Sequence, residues 1–411
     1  MRGNHWLFTA VVLFIIGLLW HQTPLLLVSL LVLLADGTGK LWRRYCLDRV
    51  DYRRELSARR VFFGEELHLD VEISNRKLLP LPWLQIDDEV PVEVTFLKGG
   101  LSSSHLTDRK LLGNFFSLSW YHRVRRRYPI RCLQRGFFTF GPARIRSGDL
   151  FGLFQREMAI PQLDYLMVYP RIVPLEKLGI ASKQVHGDIK LRRHLFQDPV
   201  LTAGVRDYHF GDSLKNIHWK TTARLGRLQT KVFEPTTTVD FGIFLDVRTT
   251  RPPLRGSNPE LLELEIVAAA SIASFALGHG YRAGLYVNQN QRLSNEPIRI
   301  PPSQHTDQLM HILEALAQLH PSETTPIDRL VLYEGRNLHW GSTLVVISAA
   351  PTDTLTSTLL KMKRVGRRVS LILVGGKEPA AGNNGLNVYH VPDDVRWRDL
   401  EELPLRGNNH Q

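Results

Sequence analysis

The sequence predicts a multidomain chain: an N-terminal transmembrane helical hairpin, an immunoglobulin-like β-sandwich and a C-terminal α/β domain of Rossmann-like type. Three observations carry this. Residues from Trp6 to Ala35 are almost all apolar, with one polar break at His21-Gln22-Thr23-Pro24. Residues 50–170 fall into short runs of period two, and residues 239–400 alternate apolar strand runs with helix-period segments. A length of 411 residues suits two or three domains, and 43% hydrophobic with 22% charged residues can build a core.

As one helix the apolar stretch would be about 45 Å long, against a hydrocarbon core of roughly 30 Å. The polar break instead divides it into two helices, about 6–20 and 24–36, forming a hairpin within residues 1–42. Trp6, Trp20 and Trp42 fall where interfacial aromatics belong. Arg2 precedes the hairpin, and Arg43, Arg44, Arg49, Arg53 and Arg54 follow it, suiting lipid headgroups. The positive-inside rule then puts both ends in the cytoplasm, with the soluble domains facing the cytoplasm from the cell inner membrane. A cleaved signal peptide fits poorly, because the run is too long and lacks a small-x-small site before a plausible mature start. A single tilted span that exports the rest of the chain is the alternative.

In the region 50–170, Glu66 to Ile73 alternates with period two, and Ser74-Asn75 ends the run. Phe115 to Trp120, Val124 to Arg131, Gly136 to Pro142 and Ala143 to Arg146 give further strands. Residues 97–110 suggest a mobile loop. Arg123, Arg125, Arg126 and Arg127, interleaved with Tyr121, Val124 and Tyr128, suggest a sheet edge. The segment Gly148-Asp149-Leu150-Phe151-Gly152-Leu153 suggests a tight turn packed by aromatics. No catalytic cluster is visible here, and an interaction or spacer module is expected.

Residues 171–238 link the two larger domains. Within them, Asp212 can cap a short helix for which Leu214, Ile217 and Trp219 supply apolar anchors and Gly226 the stop. Lys220 and Arg224 are four apart and share a helical face. Arg206, Asp212, Lys220 and Arg224 form either a polar cluster for a ligand or partner, or an ion-paired brace between domains; the brace is preferred. The α/β domain spans 239–400, with strands at 239–246, 282–288, 344–348 and 369–374 and helices at about 258–277, 306–319 and 352–365; residues 401–411 form a tail. Asn258 before Pro259 is a good helix-opening pair.

A formal charge of +12 admits anionic lipid, nucleic acid or an acidic partner, but no nucleic-acid-binding module is recognisable. Cys46 and Cys132 are too few for a disulfide framework and lack metal-ligand spacing, which fits a reducing compartment. His209, His218 and Asp212 lie near one another, but no nucleophile sits in a strained Gly-rich turn. The expected function is therefore an interaction or scaffold role. A hydrolase of unknown substrate and a basic lipid- or nucleic-acid-binding protein are the alternatives.

The run from Arg206 to Glu234, with Asp207, Tyr208, Gly211, Asp212, Ile217, Trp219, Lys220, Ala223 and Arg224 in place, resembles the family called domain of unknown function 58, as does the Gly148–Leu153 element. The resemblance implies a two-helix membrane anchor, a β-sandwich and a von Willebrand factor A-like domain. It also implies partnership with a MoxR-type ATPase of the AAA+ class in assembly or chaperone-like maturation. Von Willebrand A domains often bind Mg²⁺ through Asp-x-Ser-x-Ser. Here the matching stretch is Asp246-Val247-Arg248-Thr249-Thr250. Asp246 and Thr250 could ligate, but Arg248 replaces the first hydroxyl, and Ser348-Ala349-Ala350 offers no later carboxylate. No metal and no cofactor are predicted.

Overall fold

The computed structural model describes residues 4–149, 154–174, 197–209, 217–235, 240–250, 256–291, 296–376, 385–392, 396–400 and 406–407. The chain divides into two compact units, residues 1–169 and 170–411. Gly211, Asp212 and residues 150–153 lie outside the described residues.

In the first unit, α1 (Asn4–Leu19) and α2 (Thr23–Tyr45) pack together, joined by a turn in which His21 has φ 48°. Pro24 opens α2, where its missing N–H costs nothing. The second helix does not stop near residue 36. Asp36 and Lys40, four apart, form a 2.7 Å ion pair on its flank, and the helix continues to Tyr45. Its last turns are built into the β-structured part of the unit. A Cβ on Gly39 would lie 2.6 Å from Cδ2 of Phe154, so only glycine permits this approach. Trp42 packs on the core, and Cys46 is completely buried in it.

Twelve strands follow among the described residues. One antiparallel sheet has the order β1 (Val50–Leu56), β3 (Glu66–Asn75), β8 (Arg123–Cys132), β5 (Val94–Phe96). A second has the order β11 (Gln155–Ile160), β10 (Ala143–Gly148), β4 (Leu81–Pro91), β7 (Arg109–Leu118), β6 (Leu101–Ser103). A small third sheet joins β2 (Arg60–Phe62), β12 (Asp164–Tyr169) and β9 (Gly136–Phe140). Leu67, Leu69, Val71 and Ile73 of β3 share one core with Leu84 and Ile86 of β4 and Ile145 of β10, so the two larger sheets form a sandwich. The stretch 97–110, expected as a loop, carries β6 paired to β7.

Two readings of the basic residues change. Arg54 is not available to lipid headgroups. It lies inward with Tyr52, as the period of β1 requires, and is buried. Its guanidinium donates to Asp88 Oδ1 at 2.5 Å, Asp164 Oδ2 at 2.9 Å, and the carbonyls of Phe140 and Gln162, each at 2.9 Å. Tyr52 donates to the other oxygen of Asp88 at 2.6 Å. The run from Arg123 to Arg127 does form an edge, since β5 pairs only with residues 130–132 of β8. Its charges face carboxylates of β3: Arg127 meets Asp70 at 2.9 Å and Arg123 meets Glu72 at 3.2 Å, while Arg125 also pairs with Asp70. Much of the positive charge on this sheet is thus neutralised in place.

In the second unit, β13 (Gln197–Asp207) and β14 (Gln229–Pro235) are antiparallel, with α3 (Trp219–Leu225) between them. A seven-stranded sheet is built from β15 (Asp240–Leu245), β16 (Arg282–Asn290), β17 (Pro297–Ser303), β18 (Thr343–Ser348), β19 (Arg368–Val374), β20 (Asn387–Val391) and β21 (Arg406–Gly407). The spatial order is β17-β16-β15-β18-β19-β20-β21. The five strands from β16 to β20 are mutually parallel, and β17 and β21 run antiparallel at the edges. Counted within the sheet, the order is 3-2-1-4-5-6-7, a doubly wound order in which ligands bind at the carboxyl ends where the winding reverses. All six residues of β15 are buried, as a parallel strand covered on both faces requires.

Four helices cover the sheet: α4 (Pro259–Gly278), α5 (Gln308–Ala317), α6 (Ile327–Asn337) and α7 (Asp353–Arg364). The side chain of Asn258 accepts from the Glu260 N–H at 3.1 Å, the cap that its place before Pro259 predicts. Leu330 and Val331 of α6 and Leu355 and Leu359 of α7 pack on Phe244, Leu344 and Val346. The helix α6 and the strands β17 and β20 were not anticipated from the sequence.

Candidate functional site

The switch between β15, β16 and β18 brings three polar side chains together beneath an apolar sheet. Asp246 follows β15, Asn288 lies near the end of β16 and Ser348 ends β18, and all three are buried. Asn288 Nδ2 donates to Asp246 Oδ1 at 2.8 Å, and the Arg248 N–H reaches the same oxygen at 3.2 Å. Ser348 Oγ donates to Asp246 Oδ2 at 2.9 Å. Asn288 in turn accepts from the Val247 N–H at 2.9 Å, which fixes its amide.

A fourth group arrives from α4. Glu265 is fully buried, and its Oε1 accepts from the Ala349 N–H at 2.5 Å while Oε2 has no hydrogen-bond partner. Burial pushes the Glu265 carboxyl well above the usual carboxylate range, and the negative field of Asp246 adds to the shift. Burial also raises Asp246, while the hydrogen bonds from Ser348, the Arg248 backbone and Asn288 oppose the rise. The pair is thus a hydrogen-bonded carboxylate beside an acid that tends to keep its proton.

The proposed ligand corner is otherwise engaged. The Thr250 hydroxyl donates to the Gly256 carbonyl at 2.7 Å, and Thr249 accepts from the Asn258 N–H at 2.7 Å. The Arg248 guanidinium lies 3.7 Å from Glu323. Among the described residues, no three His, Cys, Asp or Glu side chains gather as a metal-ligand group. Asp246 and Glu265 are the carboxylates nearest such a role, and both oxygens of Asp246 already accept hydrogen bonds. Sequence reasoning missed Glu265 and Asn288. The available signal was Glu265 set between Leu264 and Ile266, on the helix face that also carries Leu262 and Ala269.

The signature residues form a separate surface. His218 caps α3, its Nδ1 accepting from the Thr221 N–H at 3.1 Å, and Asp212, expected as a helix cap, lies outside the described residues. Gly226 ends the helix at φ 65°, donating to the Thr222 carbonyl. Ile217 is buried and bridges to Thr230, whereas Trp219, expected as an anchor, is 68% exposed. Lys220, Ala223 and Arg224 are exposed on the same helix. Asp207 accepts from the side chain of Gln229, which holds β13 to β14, and the Tyr208 N–H donates to the Leu228 carbonyl at 2.9 Å. Arg206 lies 3.0 Å from His209 Nδ1 and 3.1 Å from the Asp207 carbonyl.

Both the Arg206–Arg224 surface and the Asp246 crevice fall inside one stretch of known sequence type. Residues 204–386 match the family described as protein of unknown function DUF58. The chain is also similar to the uncharacterized protein YeaD of Bacillus subtilis (strain 168), at 26% identity over 341 residues. The alignment covers 81% of this chain and 78% of that one. Among solved structures, a non-cellulosomal cohesin from Archaeoglobus fulgidus matches with a TM-score of 0.21 at 8% identity, covering 34% of this chain and 97% of that one. The CARDB domain of a Pyrococcus furiosus protein, solved in complex with di-metal ions, matches with a TM-score of 0.21 at 10% identity, covering 29% and 90%.

Two helices are long and apolar enough to cross a membrane, Thr23–Tyr45 and Pro259–Gly278, and a shorter apolar helix lies at Phe8–Leu19. The second of the long helices is α4, a largely buried core helix of the α/β sheet.

Proposed function

We propose that the chain is a membrane-anchored interaction protein, its soluble units facing the cytoplasm from the cell inner membrane, that works with a MoxR-type AAA+ ATPase in assembly or chaperone-like maturation. The α/β unit acts as a von Willebrand factor A-like domain, a reading supported by its doubly wound order of five parallel strands with an antiparallel strand at each edge and by a polar corner after β15. The α1–α2 pair supplies the anchor, supported by its apolar surface and by Arg43 and Arg44 in the last turn of α2. The β-sandwich, of immunoglobulin-like type, is an interaction or spacer module.

One observation carries the docking role. The helix α3 is held by its caps, yet it turns Trp219, Lys220 and Arg224 outward, where they contribute little to its own fold. An exposed tryptophan flanked by cations is the composition of an interface anchor rather than of ordinary solvated surface. The Asp246 corner, with both carboxylate oxygens satisfied from within, favours a structural hub over a hydrolytic centre.

Affinity purification of the full chain from gently solubilised membranes tests this. A stoichiometric AAA+ ATPase should copurify, and Trp219→Ala with Lys220→Glu should release it. A control change at another exposed tryptophan, Trp340→Ala, should not. Retention of the ATPase by the α3 variant, or its absence from the wild-type complex, would refute the assignment.

A further inference from the structure

One end of the β-sandwich is tied directly to the exit of α2. Cys46 to Arg49 lead from the helix into β1, and two turns lock onto this segment. Lys77 Nζ donates to the Cys46 carbonyl and, at 2.6 Å, to the Asp48 carbonyl; the Arg76 N–H donates to the Arg49 carbonyl at 3.0 Å. The Tyr121 N–H donates to the Lys77 carbonyl at 3.3 Å, and Asn75 Nδ2 donates to the carbonyls of Leu79 and Ser119 at 2.9 and 3.0 Å. The turns 76–80 and 119–122 are therefore one rigid tip beside the base of the helix.

The tip carries an unusual set of side chains. Leu78 is 70% exposed, Trp120 64% and Tyr121 66%. Trp120 and Tyr121 occupy the apex of the β7–β8 turn, where Asn and Gly are the usual residues, and Tyr121 takes φ 51° there. A left-handed tyrosine costs about 1 kcal/mol relative to glycine in water, and an exposed indole beside it gains nothing from the fold. Arg49, Arg76 and Arg123 are exposed in or beside the same turns; Arg76 pairs with Asp51 at 2.8 Å and Arg123 with Glu72 at 3.2 Å.

Height is set by the seating of α2. Phe154 reaches back along the helix to Gly39, so the sandwich flanks the last two turns of α2 instead of standing off on a linker. Along the helix only about 16 Å separate Ala35, the last residue of the apolar run, from Cys46, and tilt shortens the vertical component. Exposed aromatic and aliphatic side chains with arginines in the same turns, at the end of the sandwich that receives the apolar helix, match the amphipathic character of the headgroup layer.

We infer that this end of the sandwich is a second membrane contact, in which Leu78, Trp120 and Tyr121 enter the headgroup layer while Arg49, beside the Arg76–Asp51 and Arg123–Glu72 pairs, meets anionic phosphates. The inference rests on the membrane-anchored reading of α1 and α2. With the tip embedded, the sandwich is held by both the seating of α2 and the tip and cannot swing about the helix.

Spin labelling of the full chain in vesicles of phosphatidylcholine and phosphatidylglycerol tests it. Cys46 and Cys132 are buried, so single labels can be placed by Trp120→Cys, Leu78→Cys, Leu13→Cys in α1, and Leu106→Cys in the β6–β7 turn. Labels at 120 and 78 should collide with a water-soluble nickel chelate roughly tenfold less often than the label at 106, and with oxygen more often. Nickel access at 120 and 78 equal to that at 106, with the label at 13 shielded, would overturn the tip contact and leave the anchor standing. A label at 13 as accessible as that at 106 would overturn the anchor and the inference together. Shielding at 120 from both the nickel chelate and oxygen would assign the tip to protein contact, which also overturns it.

Discussion

Replacing Arg54 by alanine tests how β1 is held in the sandwich. The guanidinium is wholly buried, as is the Asp88 side chain it contacts, and it makes four hydrogen bonds to Asp88, Asp164, Phe140 and Gln162. Removing one member of a buried pair leaves an uncompensated charge, at a cost of about 3 to 5 kcal/mol. Two carbonyls lose their donor as well, so the upper half of that range is expected near neutral pH.

The cost should depend on pH. Burial is the largest influence on Asp88 and pushes its carboxyl up to about 6, against the opposing pull of Arg54 and Tyr52. A folded value above the unfolded one means that the native state holds the proton more tightly. The contribution of this group is therefore greatest below about pH 4 and declines as pH rises to about 6. Without Arg54 the carboxyl rises further and takes its proton sooner. The penalty for Arg54→Ala should then be about 2 kcal/mol smaller at pH 5 than at pH 7.5.

Global melting does not isolate one domain of a multidomain chain, so hydrogen exchange of the solubilised protein is the suitable assay. The opening free energies of peptides from β1 and β4 should fall by the stated amount, and those of β15 and β18 should not. A loss below about 1 kcal/mol at pH 7.5, or one independent of pH, would show that the network is not the clasp its geometry describes.

Two further outcomes are expected. Glu265→Gln keeps the shape of a buried acid that holds its proton in the folded state; since its carboxyl is raised, the wild-type α/β unit should lose stability as pH rises above about 4.3, by at most roughly 1.4 kcal/mol per unit, and the variant should lose that slope in hydrogen exchange of α4. Gly39→Val drives a side chain into the Phe154 ring and should cost about 1 to 3 kcal/mol, seen as faster exchange at the α2–β11 junction while β15 is unaffected.

The elements most legible from sequence were those whose signals are local. Asn258-Pro259 opens α4, and the alternation of Leu67, Leu69, Val71 and Ile73 gives β3 its buried face. The end of α2 was not legible, because Asp36 and Lys40 look like a polar boundary until their ion pair is recognised as helix-supporting. Arg54 was read with its arginine neighbours, although the period shared by Tyr52 and Arg54 places it inside; the partner that makes this tolerable, Asp88, is 34 residues away. The Asp246 corner was found from its strand end, but Asn288 and Glu265 join it only through folding. Trp219 looked like a core anchor by composition, and only the caps on both ends of α3 reveal that the helix does not need it.

The continuous run of α2 from the turn at Gln22 to Tyr45 makes the helical hairpin a keyed shaft. Gly39, Trp42 and Cys46 fix the lower end in the sandwich, so every residue above them has a set rotational phase. Inserting one residue between Asp36 and Gly39 would rotate α1 about the axis by about 100° and raise it by about 1.5 Å. Apolar residues on the outer faces can be exchanged freely, but the number of residues cannot change without turning the hairpin to a new compass bearing over the domain below.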